Sequence, residues 1–313
     1  MINTTGIHHV TSIASDPQQN VDFYTDVLGL RLVKRTVNFD DKYTYHLYYG
    51  DEVGTPGTIL TFFPFENGRP GRVGRGQTSA TAFVIPEGSV EYWIDRLESH
   101  DLEVDSPRSR FDETVVAFRD HDGQPLELVT GQTTDEPWTD GPVPAEHAIR
   151  GFHGVTLESR DPERTGEVLE RLGYEPADEI ENRTRYRASG DRAAIIDVRE
   201  RTDVPQGRQG VGTVHHVAFR APDEEAQLAW RKRLIDNGLQ VTPQEDRQYF
   251  KSIYFREPGG VLFEIATDGP GFTRDESPAA LGTELKLPPW LEDERERLEE
   301  RLPEIRAPGT VEH

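Results

Sequence analysis

Cysteine is absent from the 313 residues, so neither a disulfide nor a thiolate metal site can form. Any metal must be held by histidine and carboxylate. No apolar run approaches the length of a membrane span and no apolar leader opens the chain, so neither insertion nor secretion is expected and the expected location is cytoplasmic. Lysine is scarce, supplying 5 of the 35 basic residues against 57 acidic ones. The net charge of −22 speaks against nucleic acid and anionic membrane as partners, since both require a basic face. An acid-rich, lysine-poor chain of this kind suits a halophilic, salt-accumulating cytoplasm, where carboxylates stay hydrated and their repulsion is screened. The length leaves room for two ordinary domains.

What is present is repetition. "FRDHDGQPLELVTG" at 118–131 aligns without a gap on the start of "FREPGGVLFEIATDG" at 255–269, setting Gly123 on Gly260 and Glu127 on Glu264. "GIHHVT" at 6–11 echoes "GFHGVT" at 151–156, and a second histidine pair lies in "TVHHVAF" at 213–219. Between these ends one layout recurs. An apolar strand is followed by a helix start at Asp16-Pro17, Pro86-Glu87, Asp161-Pro162 and Pro222-Asp223. An amphipathic helix follows, with spacings such as Val90, Trp93, Ile94 and Leu97, and Gly29, Gly173 and Gly238 supply stops. Stretches rich in β-branched and aromatic residues, such as "YTYHLYYGD" at 43–51, then read as strands.

This layout predicts an α+β chain of four β-α-β-β-β units, at about 6–65, 78–131, 150–200 and 212–267. The Pro- and Asp-rich run 131–148 divides it into 1–140 and 141–275, two units each, and 276–313 is expected to be a tail carrying an exposed amphipathic helix in "LEDERERLEERL". The segment "ENGRPGRVGRGQ" reads as a solvated linker, because no strand-to-helix turn surrounds its glycines.

Four such units resemble the vicinal oxygen chelate (glyoxalase/bleomycin resistance/dioxygenase) superfamily over about residues 5–270. The resemblance implies two open cup-like mixed sheets with helices outside, each cup built by two facing units. It also implies metal ligands from the first and last strands of a unit. The first-strand positions are His9, Ala80, Gly154 and His216; the last-strand positions lie near Thr61, Glu127, Asp197 and Glu264. Only a pairing of units 1 and 4 assembles a site, from His9, His216 and Glu264. Two imidazoles and one carboxylate suit Fe(II), and Mn(II) equally, with open positions for substrate and O₂. Units 2 and 3 are left as a structural half. The second histidine of each pair is taken as the ligand, because unit 3 keeps His153 at the His8 position after losing the other.

The stretch "RQYFKSIYFREPGGVLFE" at 247–264 resembles the extradiol dioxygenase signature, with Ile253-Tyr254, Glu257-Pro258, Gly260 and Glu264 matching. It departs at Arg247, where catechol-cleaving enzymes carry histidine, and there it resembles the hydroquinone-cleaving branch. The implied activity is that of an Fe(II)-dependent ring-cleaving dioxygenase that inserts both atoms of O₂ into a hydroquinone or related phenol. Its partners would be a small aromatic substrate and O₂, with a homo-oligomer allowed. In that scheme Tyr254 hydrogen-bonds the bound oxygen and Arg247 stabilises developing negative charge. His8 and His215 carry protons or support the ligands. Thr11, on the strand face of His9, is expected to line the cavity and touch substrate. His46 reads as packing. Two other functions use this fold: a glyoxalase-type isomerase or lyase, which needs a fourth protein ligand that Thr61 does not supply, and an aromatic- or drug-binding protein, which needs no such triad.

Overall fold

The computed structural model describes residues 3–133 and 135–306. Unit 1 comprises β1 (Ile7–Ala14), α1 (Pro17–Asp22), β2 (Arg31–Asn38), β3 (Asp41–Gly50) and β4 (Ile59–Pro64). Unit 2 comprises β5 (Gln77–Ile85), α2 (Val90–Ser99), β6 (Arg108–Arg110), β7 (Glu113–Arg119) and β8 (Pro125–Thr130). Unit 3 comprises β9 (Phe152–Ser159), α3 (Pro162–Leu172), β10 (Glu175–Ile180), β11 (Arg183–Arg187) and β12 (Ile195–Glu200). Unit 4 comprises β13 (Thr213–Ala221), α4 (Glu224–Asp236), β14 (Glu245–Asp246), β15 (Lys251–Arg256) and β16 (Leu262–Thr267).

Three helices start as the sequence predicts. The Asp16, Asp161 and Asp223 carboxylates accept hydrogen bonds from the Gln19, Arg164 and Ala226 amides, capping orphan donors of the first turn. The second does not. α2 begins at Val90 after Ser89 rather than at Pro86-Glu87, because Gly88, with φ of +86°, turns the chain first. Each helix buries an apolar stripe, as with Trp93 and Leu97 of α2 or Trp230 and Leu234 of α4. Each such side chain contributes about 2–3 kcal/mol of hydrophobic stabilisation.

The sixteen strands form two mixed, curled, eight-stranded sheets. One runs β14-β15-β16-β13-β1-β4-β3-β2 and the other β10-β11-β12-β9-β5-β8-β7-β6. Unit 1 is therefore joined to unit 4, and unit 2 to unit 3. Each sheet takes one unit from either side of residue 140, so neither sequence half closes a sheet by itself.

The registers make the four units superimposable. Thr11 faces Thr61 across β1 and β4, and Ala218 faces Glu264 across β13 and β16. Ala82 faces Glu127 and Thr156 faces Asp197 in the other sheet. Two residues before the first of each pair stand His9, His216, Ala80 and Gly154, so the positions aligned by sequence are equivalent in space.

Two expectations about connections need correction. The 66–77 segment is not simply solvated. Gly71, Arg72 and Arg75 donate backbone hydrogen bonds to Val211, Arg208 and Pro205, zipping the first connector to the one that leads into unit 4. The tail helix is shorter than expected and packs on the outside through its leucines, leaving its charged side exposed. α5 (Arg295–Glu299) is five residues long, while Leu285, Leu287, Leu291, Leu298, Leu302 and Ile305 are buried in the main core. The tail is a strap across unit 1: Lys286 donates its amide to the Arg35 carbonyl, and the Tyr45 hydroxyl donates to the Pro303 carbonyl.

Candidate metal centre

β1 and β13 are antiparallel neighbours in the middle of their sheet, with His9 opposite Ala218 and Thr11 opposite His216. β16 lies beside β13 and carries Glu264 next to Ala218. Strand alternation turns His9, His216 and Glu264 to one face. His9 Nε2 is 3.2 Å from His216 Nε2 and 3.3 Å from Glu264 Oε2, and His216 Nε2 is 2.8 Å from the same oxygen. All three residues are buried, and among the described residues they alone form a group of His, Asp or Glu able to hold a metal ion.

The surrounding hydrogen bonds limit what these atoms can offer. Glu264 Oε1 accepts from the Ser252 hydroxyl at 2.5 Å, whereas Oε2 is buried without a hydrogen-bond donor. His9 Nδ1 lies 2.9 Å from His8 Nδ1, and His216 Nδ1 lies 2.8 Å from His215 Nδ1. One proton sits in each of those contacts. With that proton on the His9 and His216 side, both Nε2 atoms present lone pairs toward the bare carboxylate oxygen. Three electron-pair donors then converge in a buried space, an arrangement that a divalent cation satisfies, and the mixed nitrogen–oxygen set suits Fe(II) or Mn(II).

Charge in this region is tightly controlled. Burial pushes the His8 and His216 pKa values down, and pushes His215 down to about 3, so these imidazoles stay neutral.

A cavity of about 430 Å³ opens over the triad. Ile13, Phe39, Phe63, Phe65, Phe250 and Leu262 make its apolar wall, and Asn38, Asp40, His46, Tyr48, His215, Arg247 and Tyr254 are among its polar lining. Tyr254 stands edge-on to His216 with ring centres 5.7 Å apart, and Arg247 Nε donates to its hydroxyl at 3.2 Å. Arg247 also bridges Asp40 of unit 1 at 3.0 Å and Glu245 at 2.7 Å, tying the two units across the cavity. Burial and the nearby Glu264 push the Tyr254 phenol up, so it remains a neutral donor.

Of the residues singled out from sequence, His9, His216, Glu264, His215, Arg247 and Tyr254 meet in this cavity. His8 does not reach it; it lies behind His9 against Phe250, with ring centres 5.2 Å apart. Thr11 is not on the wall either. It is fully buried and accepts a hydrogen bond from the Thr61 hydroxyl at 3.0 Å, because β4 runs alongside at that level. His46, read from sequence as packing, does line the cavity, together with Tyr48. The signal for them was strand register: Tyr48 faces Thr61 as Tyr254 faces Glu264, so β3 presents His46 and Tyr48 where β15 presents Ser252 and Tyr254.

The other sheet shows what replaces a metal site. A Cβ on Gly154, the counterpart of His9, would lie 2.2 Å from the Ile195 carbonyl oxygen, so no side chain can stand there. Arg110 grips Glu127 with both terminal nitrogens at 3.0 and 2.7 Å, and Arg183 and Arg185 bind Asp197. His153 is hydrogen-bonded to Glu113 at 2.8 Å. Cation–carboxylate pairs stand in this cup at the level where the other brings its imidazoles and carboxylate together.

The sequence profile of the Glyoxalase/Bleomycin resistance protein/Dioxygenase superfamily matches residues 6–128 and 134–265. A protein of Bacillus subtilis strain 168 named "Putative ring-cleaving dioxygenase MhqO" is 47% identical over 301 residues, 96% of each chain. The chlorohydroquinone/hydroquinone 1,2-dioxygenase of Sphingobium indicum is 39% identical over 306 residues, 94% of each chain. The crystal structure of a "putative dioxygenase" from Bacillus subtilis superimposes with a TM-score of 0.95 at 45% identity, covering 98% of this chain and 99% of that one. Both halves match the profile and the likeness runs nearly end to end: this chain belongs to the Glyoxalase/Bleomycin resistance protein/Dioxygenase superfamily.

Proposed function

We propose that the protein is a ring-cleaving dioxygenase that uses Fe(II), or Mn(II) in its place, to open a hydroquinone-type ring with both atoms of O₂. The observation that carries this reading is the open His9–His216–Glu264 set facing an aromatic-walled cavity that also holds Arg247 and Tyr254. The near full-length likeness to a hydroquinone dioxygenase supports the substrate class.

A bound Fe(II) would bring phenolate and O₂ to one centre and let electrons pass from ring to oxygen. The chain's residues prepare that event. Phe39, Phe63 and Phe250 give the ring an apolar wall to pack against and displace water from it. His8 and His215 hold the Nδ1 atoms of the two ligand imidazoles and so fix their orientation; the strong depression of His215 fits this role better than proton carriage. Tyr254 donates its hydroxyl hydrogen toward the reacting oxygen, and Arg247, permanently charged, stabilises the negative charge that forms there.

Thr61 weighs against a glyoxalase-type isomerase. It occupies the position equivalent to Glu264, and its hydroxyl is engaged by Thr11 and His46 instead of offering a fourth ligand. A bare binding protein would have no use for three converging donors.

The test is anaerobic loading with Fe(II) in high salt, then O₂ uptake with hydroquinone and with catechol. Consumption of O₂ with hydroquinone in preference, yielding a ring-opened product, is the expected result, and His216→Ala should lose both iron and uptake. Stoichiometric iron without uptake on either phenol would overturn the dioxygenase in favour of the isomerase.

A further inference from the structure

The unit 1 wall of the cavity carries a hydrogen-bond chain with a fixed direction. The Thr61 hydroxyl donates to Thr11 Oγ1 at 3.0 Å and has no second proton to give. His46 Nε2, 2.7 Å from Thr61 Oγ1, must therefore be the protonated nitrogen and donate to it. That leaves His46 Nδ1 as a lone pair, and the Tyr48 hydroxyl, 2.8 Å away, donates to it. Burial also pushes the His46 pKa well down, so the imidazole stays neutral and carries a single ring proton. Tyr48 has then given up its only proton. What it presents to the cavity is oxygen lone pairs.

We propose that Tyr48 is a specificity-determining residue, an obligatory hydrogen-bond acceptor that selects a ligand hydroxyl at the unit 1 wall of the cavity, with His46, Thr61 and Thr11 as the residues that position its proton. The inference rests on the reading that a phenolic ring occupies the cavity. It adds a reason why a ring with a second hydroxyl is favoured over one whose substituent can only accept. The two tyrosines are register counterparts, one facing Thr61 and the other Glu264, but they are wired oppositely. Tyr254 takes a hydrogen bond from Arg247, whereas Tyr48 gives one to His46.

The experiment measures binding apart from turnover. Fe(II)-loaded protein is titrated anaerobically by calorimetry with hydroquinone and with 4-methoxyphenol, whose ether oxygen cannot donate. Wild type should bind hydroquinone about tenfold or more tightly than the ether, as expected when a buried acceptor loses its donor. Tyr48→Phe, which removes one oxygen and keeps the ring, should bring the two affinities to within about twofold. Thr61→Val removes the acceptor for His46, frees that proton for Nδ1, and should improve 4-methoxyphenol relative to hydroquinone, a change that loss of packing would not give. A Tyr48→Phe protein that discriminates as wild type does, or a wild type that does not discriminate, overturns the inference. Discrimination without O₂ uptake would sink the dioxygenase reading alone; uptake with discrimination intact in Tyr48→Phe would sink this one alone.

Discussion

Glu264 has one oxygen tied to Ser252 and the other left without a donor, and that asymmetry determines how the side chain can be used. Ser252 fixes the carboxylate so that Oε2 is the free electron pair. Ser252→Ala should therefore keep the fold yet lower metal affinity about 10–100-fold, the usual effect of removing a group that orients a ligand, as read by competition with a chelator. That His9, His216 and Glu264 converge was legible in the sequence because the repeats aligned position on position and the resemblance pointed to the first and last strands of each unit. Thr11 and His46 were misread for a physical reason. Period-2 alternation gives the face of a strand but not the depth on that face. Thr11 shares a face with His9 and is sealed against β4, whereas His46, framed by tyrosines, opens onto the cavity.

At the level of elements, the second cup is held by buried ions instead of a metal. Arg110 is buried against Glu127, and removing one partner of such a pair strands the other charge. Arg110→Ala should cost about 3–5 kcal/mol in chemical denaturation while leaving metal binding in the other cup unchanged. Burial opposes the Glu127 and Asp197 carboxylates, but the arginines around them prevail and hold both pKa values below normal. A depressed pKa in the folded state means stability that is fully present above the ordinary carboxylate range and is lost as pH falls through the depressed values. Acid unfolding of wild type should therefore steepen below about pH 4, and Arg110→Ala should flatten that limb. The β-α-β-β-β order could be read in advance from the repeat period, and the pairing of units 1 and 4 from the resemblance to the superfamily's cups, in which only those two units bring a ligand set together. The tail could not. Its run of charges looks like a solvated helix, and only the tertiary surface of unit 1 shows that Leu291, Leu298 and Leu302 are its purpose.

For the whole molecule the governing quantity is a net charge of −22. Self-repulsion of that size favours expansion, and salt screens it over about 10 Å at 0.1 M and less above. The thermal midpoint should rise as KCl increases from about 0.1 to 2 M, and a flat or falling curve would refute the halophilic reading. The pairing of units has a consequence in time. Units 2 and 3 are enclosed in the chain between units 1 and 4, like inner brackets within outer ones. During synthesis at about 5–20 residues per second, unit 3 arrives to complete the inner sheet while the edge of β1 still waits for β13, for roughly 10–40 s. That waiting strand is an open edge until its partner comes. His9 stands in the first strand of unit 1 and Glu264 in the last strand of unit 4, so a growing chain that still lacks unit 4 cannot gather the three side chains, however well its inner sheet has folded.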